Sequence, residues 1–234
     1  MSKGLVAQRW FRQSFFQLLL AMLAIIALGQ MLVSHKILPP LAIGSRGLSS
    51  FANDVSLGYF SSWIFNILVV VVPAYTKRRR MRAWLASRYR AFKDDLVRVY
   101  LGAISETYNS DLIEDLRDPA KFSDYFAGRF APDQNRWHAV HNGLYEWGLS
   151  QIRFHCRLFL SEYDLSIGLL GDLDAKSLAR YGYVRAMLSK AEIMEPDYDD
   201  VKSLLGMLYP IHCPWSFLDG KIHEDAILEN IKSL

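Results

Sequence analysis

Residues 55–93 read VSLGYFSSWIFNILVVVVPAYTKRRRMRAWLASRYRAFK, and the change of chemistry at Lys77 decides the fold. From Val55 to Thr76 there are 22 residues without a charge. At 1.5 Å rise per residue a helix of that length reaches about 33 Å, enough for a hydrocarbon core of ~30 Å. From Lys77 to Lys93 follow eight bases and no acid: Lys77, Arg78, Arg79, Arg80, Arg82, Arg88, Arg90 and Lys93. An apolar span with a basic exit is the pattern of a membrane helix entering the cytoplasm.

Upstream, Gln13 to Ser34 is another uncharged run of 22 residues, containing FFQLLLAMLAIIALGQMLV. A cleaved signal peptide would need a shorter apolar stretch and a small-x-small site, and none follows before His35. Two spans this close together exclude a soluble core helix as the simpler account. The N-terminal flank carries Lys3, Arg9 and Arg12, whereas the connection between the runs holds only Lys36 and Arg46. The positive-inside rule therefore predicts both termini in the cytoplasm and residues 35–55 outside. Pro39-Pro40, Gly44, Gly47 and Ser49-Ser50 suit an irregular crossing loop. The expected organisation is a flank at 1–13, a transmembrane hairpin at 14–76, a basic helical stalk at 77–108 and a cytoplasmic helical domain at 109–234. Within the hairpin the helices are expected at about 14–33 and 56–75, around an outer loop at 34–55.

Charge divides the same way. Residues 1–93 hold thirteen Lys/Arg against one acid, Asp54, and residues 94–234 hold fourteen against 23 Asp/Glu, for a net charge of +3. Such asymmetry excludes a uniformly basic nucleic-acid binder. Two cysteines, Cys156 and Cys213, exclude a disulfide-rich secreted scaffold and suit free thiols in the cytoplasm.

Inside the second span, Asn66 is an amide at mid-bilayer depth, and Gly58 and Ser62 form a small-xxx-small pair. With Ser61 these residues suit a membrane-helix interface, each interhelical hydrogen bond contributing roughly 0.6–2 kcal/mol. The partner is either the first span, through Gln17 or Gln30, or another copy of the chain in an assembly with a polar path. Pro73 is expected to bend the helix as it leaves the bilayer. The basic stretch, interleaved with Trp84 and Tyr89, is chemically able to bind nucleic acid. Its place beneath a span favours anionic lipid head groups and a topology signal.

The cytoplasmic part reads as all-α. Leu85, Tyr89, Phe92, Leu96, Val99 and Ala103 recur at 4-3-4-3 spacing, predicting a helix to about Tyr108 that packs on its own domain or forms a coiled coil. Asp118-Pro119 opens a short helix to about Phe130, broken by Ala131-Pro132. A long helix is expected from Asn135 to Tyr163, with Trp137, Val140, Leu144, Trp147, Ile152, Leu158 and Phe159 on its apolar face. Gly168, Gly171 and Asp172 mark a turn, and a helix follows from Asp174 to Lys190. Glu195-Pro196-Asp197 starts another that ends before Pro210, and a last one covers Ile222 to Lys232. No hairpin of alternating strands is expected.

Reaction signatures are missing. His138 and His141 share a helix face, while His155-Cys156 and His212-Cys213 are adjacent pairs unable to converge on one ion; His223 stands alone. Without C-x-x-C or H-E-x-x-H, the histidines read as core or capping groups and the cysteines as buried thiols. The carboxylate clusters are Asp94-Asp95, Asp111 with Glu114-Asp115, Asp172 with Asp174, and Asp197 with Asp199-Asp200. Most sit at helix starts, where they cap free amides. There is no G-x-S-x-G and no phosphate-binding loop. Trp137, Tyr145, Trp147 and Trp215 are expected in the core. Neither catalysis nor a cofactor or metal is expected.

In layout, and in the stretch from Gly58-Tyr59-Phe60-Ser61-Ser62 to Lys77-Arg78-Arg79-Arg80, the first 95 or so residues resemble the two-transmembrane effectors of bacterial antiphage defence systems. Examples are those encoded with retrons or in cyclic-oligonucleotide signalling operons. The resemblance implies a multi-pass protein of the bacterial inner membrane, silenced by a cytoplasmic protein or nucleoprotein partner, which assembles on release and breaches the membrane. The implied partners are the bilayer, further copies of the chain and that silencing partner, with no sequence-specific nucleic-acid binding. A membrane-anchored scaffold or assembly factor is the rival expectation.

Overall fold

A computed structural model of the chain describes residues 57–171, 173–215 and 225–234, together with Gly29. Apart from Gly29, the first expected span and the outer loop lie outside the described residues, as do Asp172, residues 216–224 and the expected start of the last helix. The chain divides into two units between Thr76 and Lys77.

Helix α1 covers Leu57–Ala103, 47 residues. Its apolar N-terminal part is long enough to cross a membrane and is not buried. Leu68, Val69 and Val70 are 61%, 52% and 56% exposed. Ile67–Val71 forms a π-helical turn, closed by the Val72 N–H donating to the Ile67 carbonyl. Pro73 has no N–H for Val69, and its ring crowds that carbonyl. A widened turn just upstream is one way a helix absorbs such crowding.

From Lys77 the second unit begins, and the 4-3-4-3 stripe becomes its spine. Leu85, Tyr89, Phe92, Leu96 and Val99 are buried, and Val97, Tyr100 and Leu101 are buried beside them. A helix covered on several sides is a core element, so this stripe packs on its own domain. The helix stops at Ala103, short of Tyr108. Ser105 takes φ +53°, the Ser105 N–H donates to Gly102 and the Glu106 N–H to Leu101. That is a Schellman ending with serine at the left-handed position.

Helices α2 (Ser110–Asp115), α3 (Pro119–Ala127), α4 (Arg136–Gly143), α5 (Glu146–Leu170), α6 (Ala175–Ser189), α7 (Tyr198–His212) and α8 (Ala226–Ser233) complete the bundle. Side chains cap most of them: Asn109, Asp118, Asn135, Asp174, Asp197 and Asp225 each accept from backbone N–H groups in the first turn. Each such cap contributes about 1 kcal/mol.

Four expectations need correction. A small antiparallel ribbon, β1 (Arg129–Ala131) with β2 (Gln134–Asn135), turns through Pro132-Asp133, where only a break was expected. The expected helix from Asn135 to Tyr163 is two helices, parted at Leu144-Tyr145. Gly143 explains the break, because a Cβ there would lie 2.2 Å from the Ala103 carbonyl oxygen. The end of α4 thus rests backbone on backbone against the end of α1. Gly168 lies within α5, and the turn comes at Gly171, whose φ is +74°. Finally, α7 runs past Pro210 to His212. A proline in the last turn removes one hydrogen bond, to Gly206, and that residue is exposed to solvent.

The core has two aromatic clusters. Around Tyr100, Phe126, Trp137 and Tyr209, the rings of Phe122 and His212 stack at 4.7 Å and 8°. Tyr89, Phe92, Phe159 and Tyr163 form the other, along α1 and α5.

Candidate functional site

Gly58, Ser62 and Asn66 recur at four-residue spacing on α1, and together with Ser61 they are exposed. The Ser62 hydroxyl donates to the Gly58 carbonyl at 2.9 Å, one turn back in the same helix. That bond satisfies the hydroxyl proton without a second helix. Among the described residues nothing lies within 4 Å of where a Cβ on Gly58 would sit. Asn66 immediately precedes the π turn and caps nothing with its side chain. An exposed amide among Ile64, Phe65, Leu68 and Val69 is costly in lipid unless another group pairs with it.

The eight bases divide by position. Lys77, Arg78, Arg79, Arg80 and Arg90 are exposed, and Arg82 is half-buried with its Nε unpaired. Arg88 and Lys93 flank the buried stripe and are engaged inside the second unit. The Arg88 guanidinium meets Glu162 of α5 at 2.7 and 2.8 Å. The Lys93 ammonium meets Asp225 at 3.2 Å. A collar of four consecutive cations therefore follows the apolar part of α1 directly, and of the later bases Arg88 and Lys93 tie α1 to the bundle.

The histidines are dispersed. His138 and His141 are on α4, and burial together with the charge of His138 lowers the pKa of His141. His155 Nδ1 lies 3.3 Å from Asp95, in a shallow cleft between α1 and α5 that also holds the Arg88–Glu162 pair. His212 is enclosed by aromatic rings, and burial pushes its pKa well below the ordinary imidazole value. Among the described residues no three His, Cys, Asp or Glu side chains are grouped to hold a metal. Cys156 and Cys213 are free and buried, and burial raises the Cys156 thiol to about 12, which keeps it protonated. His223 lies outside the described residues.

The carboxylates act mainly as caps and ion-pair partners. Asp94 is an exception to the helix-start reading. It is mid-helix and buried, and accepts a two-pronged bond from Arg117 at 3.0 and 2.9 Å. Its pairing with a residue 23 positions on has no local sequence signal. The aromatic expectations divide too. Trp137 packs against the core, whereas Tyr145, Trp147 and Trp215 are exposed at 75%, 66% and 46%. Trp147 and Leu158 lie within α5 but off the face that Leu149, Ile152, Cys156 and Phe159 bury. In comparison with known proteins, no family model, no curated protein and no solved structure matches the chain.

Proposed function

We propose that this protein is a multi-pass protein of the bacterial inner membrane with both termini in the cytoplasm, and that its spans assemble and permeabilise the membrane when a cytoplasmic partner releases the helical domain. The observation that carries this reading is Asn66, an exposed amide within the apolar part of α1, beside a π turn. In lipid such a group gains from a hydrogen-bonding partner on another helix, and an equivalent group on another copy supplies one. The exposed collar Lys77–Arg80 supports a cytoplasmic exit at a surface of anionic lipid, which attracts about 1 kcal/mol per base. Because α1 continues from the apolar part into the bundle core, a change in the bundle has a helical route to the span.

A membrane-anchored scaffold is the second reading, and the Ser62–Gly58 bond favours it, because a serine that bonds its own helix needs no neighbour. Dye release from vesicles containing the purified chain separates the two. The effector reading expects release by the wild type and its loss in Asn66→Leu. The scaffold reading expects none from either.

A further inference from the structure

The last turn of α7 carries a histidine into the aromatic core. Pro210 has no N–H to offer Gly206, so the helix is weakened just before Ile211. Beyond it the Cys213 N–H donates to the Tyr209 carbonyl at 2.9 Å, and Pro214 follows. Residues 211–213 are thus a short buried plug between two prolines. His212 is the most enclosed of the three. Its ring stacks on Phe122 of α3 at 4.7 Å and 8°, and meets Tyr100 of α1 edge-on at 5.6 Å and 74°. Neither ring nitrogen has a hydrogen-bond partner, and the Tyr100 hydroxyl has none either. A neutral imidazole there fills space between two helices, whereas an imidazolium carries two donors that each need an acceptor. We propose that residues 211–213 form an acid-triggered latch, in which protonation of His212 draws its ring out of the aromatic cluster by a local opening beyond Pro210 and so releases the contact it makes between α1 and α3.

No charge around the ring balances an added proton. From α1 come the buried Tyr100 hydroxyl and Lys93, whose charge opposes a second cation. From α3 comes the apolar ring of Phe122, while Asp124 acts on Cys213. From α4, Trp137 completes the cluster and His141 packs on Trp137. From α5, Cys156 acts on Tyr100, and its thiol is held protonated. On α7 itself, Tyr209 donates to Ser123 and Cys213 stays a free thiol. Among the described residues no carboxylate bonds the imidazole or acts on its charge. Protonation therefore requires exposure to water, and the smallest opening that frees the ring is the turn beyond Pro210. That opening leaves the caps and ion pairs of the other helices in place. A histidine protonated only in the opened state is the arrangement of a pH sensor. The latch belongs to the helical domain and holds whether or not the spans permeabilise a membrane.

The two cysteines separate a local from a global opening, because Cys213 lies in the latch and Cys156 within α5. The test labels the full chain in neutral detergent with dithiodipyridine, a thiol reagent that works in acid, between pH 7.5 and 5. Each rate is divided by that of the denatured chain at the same pH, which gives the fraction open. With an opened ring titrating near pH 6.5, the Cys213 fraction should rise about tenfold by pH 5.5 and about thirtyfold by pH 5. At every pH it should exceed the Cys156 fraction by at least about tenfold, since Cys156 waits for the bundle to open. In His212→Phe, which keeps a ring against Phe122 without a titrating group, the Cys213 fraction should stay flat. A flat wild-type profile, equal fractions for the two cysteines, or the same rise in His212→Phe would each overturn the proposal. The first two outcomes are read on the wild type and stand even if the variant fails to fold.

Discussion

The Tyr89 hydroxyl donates to the Asp225 carboxylate, 2.9 and 2.8 Å from its two oxygens, joining the helix that continues from the apolar segment to the last helix of the bundle. Asp225 also receives Lys93 and caps α8 through the N–H groups of Ile227 and Leu228. One carboxylate thus fixes the start of α8 and the side of α1. Burial, reinforced by the charge of Asp225, raises the Tyr89 pKa well above that of a free phenol and keeps the proton on its oxygen. Replacing Asp225 by Ala removes the cap and leaves two donors unpaired, an expected loss of ~2–4 kcal/mol. Tyr89→Phe removes one bond and should lose about 1 kcal/mol. Denaturant unfolding of both variants and their double checks this, and the double should lose less than the two single losses added together.

His212 makes stability depend on acidity. Its imidazole is buried against Phe122 and Tyr100, neither ring nitrogen has a hydrogen-bond partner, and Lys93 adds repulsion. The folded chain therefore holds it neutral, whereas the unfolded chain protonates near pH 6.5. The unfolded state binds the extra proton, so this contribution is complete above about pH 6.5 and is lost as pH falls toward the depressed folded value. The unfolding midpoint of wild type should drop between pH 6.5 and 5 relative to that of His212→Phe. Parallel curves for the two proteins would remove His212 from the acid response.

Two glycines should respond with opposite signs. At Gly143 a methyl group would collide with the Ala103 carbonyl, so Gly143→Ala should cost ~2–4 kcal/mol by forcing the ends of α1 and α4 apart. Gly182 lies in α6 with open space where its Cβ would be, and Gly182→Ala should stabilise by about 0.5–1 kcal/mol. Thermal melts of both variants make the comparison.

Cys156 should resist thiol reagents in the native state. Its thiol is buried and raised to about 12, so at pH 8 the reactive thiolate is nearly absent. The folded state favours the protonated thiol, so this contribution is intact below the unfolded value near 8.5 and is lost as pH rises toward about 12. Maleimide labelling is expected to be slow in buffer and fast in denaturant. Rapid labelling of native protein at Cys156 would show that α5 opens locally.

Local chemistry was legible in the sequence where local chemistry decides structure. Asp118, Asp174 and Asp197 cap the helices their positions announce, and the stripe from Leu85 to Val99 is buried as its period requires. Decisions made by distant partners were not. Nothing near Gly143 reveals that the Ala103 carbonyl stands against it, so α4 and α5 read as one helix. Pro210 reads as a stop, yet only one hydrogen bond is lost there, and burying Ile211 and His212 keeps the last turn. Arg88 and Lys93 belong by sequence to the basic run, and only Glu162 and Asp225, from elements far along the chain, separate them from it. Phe154, Leu165 and Leu169 are exposed on α5, and no sequence signal separates them from its buried apolar residues, because a helix apolar on two sides has the pattern of one with a broad core face.

The most direct measurement is membrane potential, read with a voltage-sensitive dye in bacteria induced to make the full chain, beside Asn66→Leu at matched membrane abundance. Depolarisation by the wild type, abolished in Asn66→Leu, is the result expected of a permeabilising assembly built on that amide. Equal depolarisation by both proteins, or by neither, would contradict it.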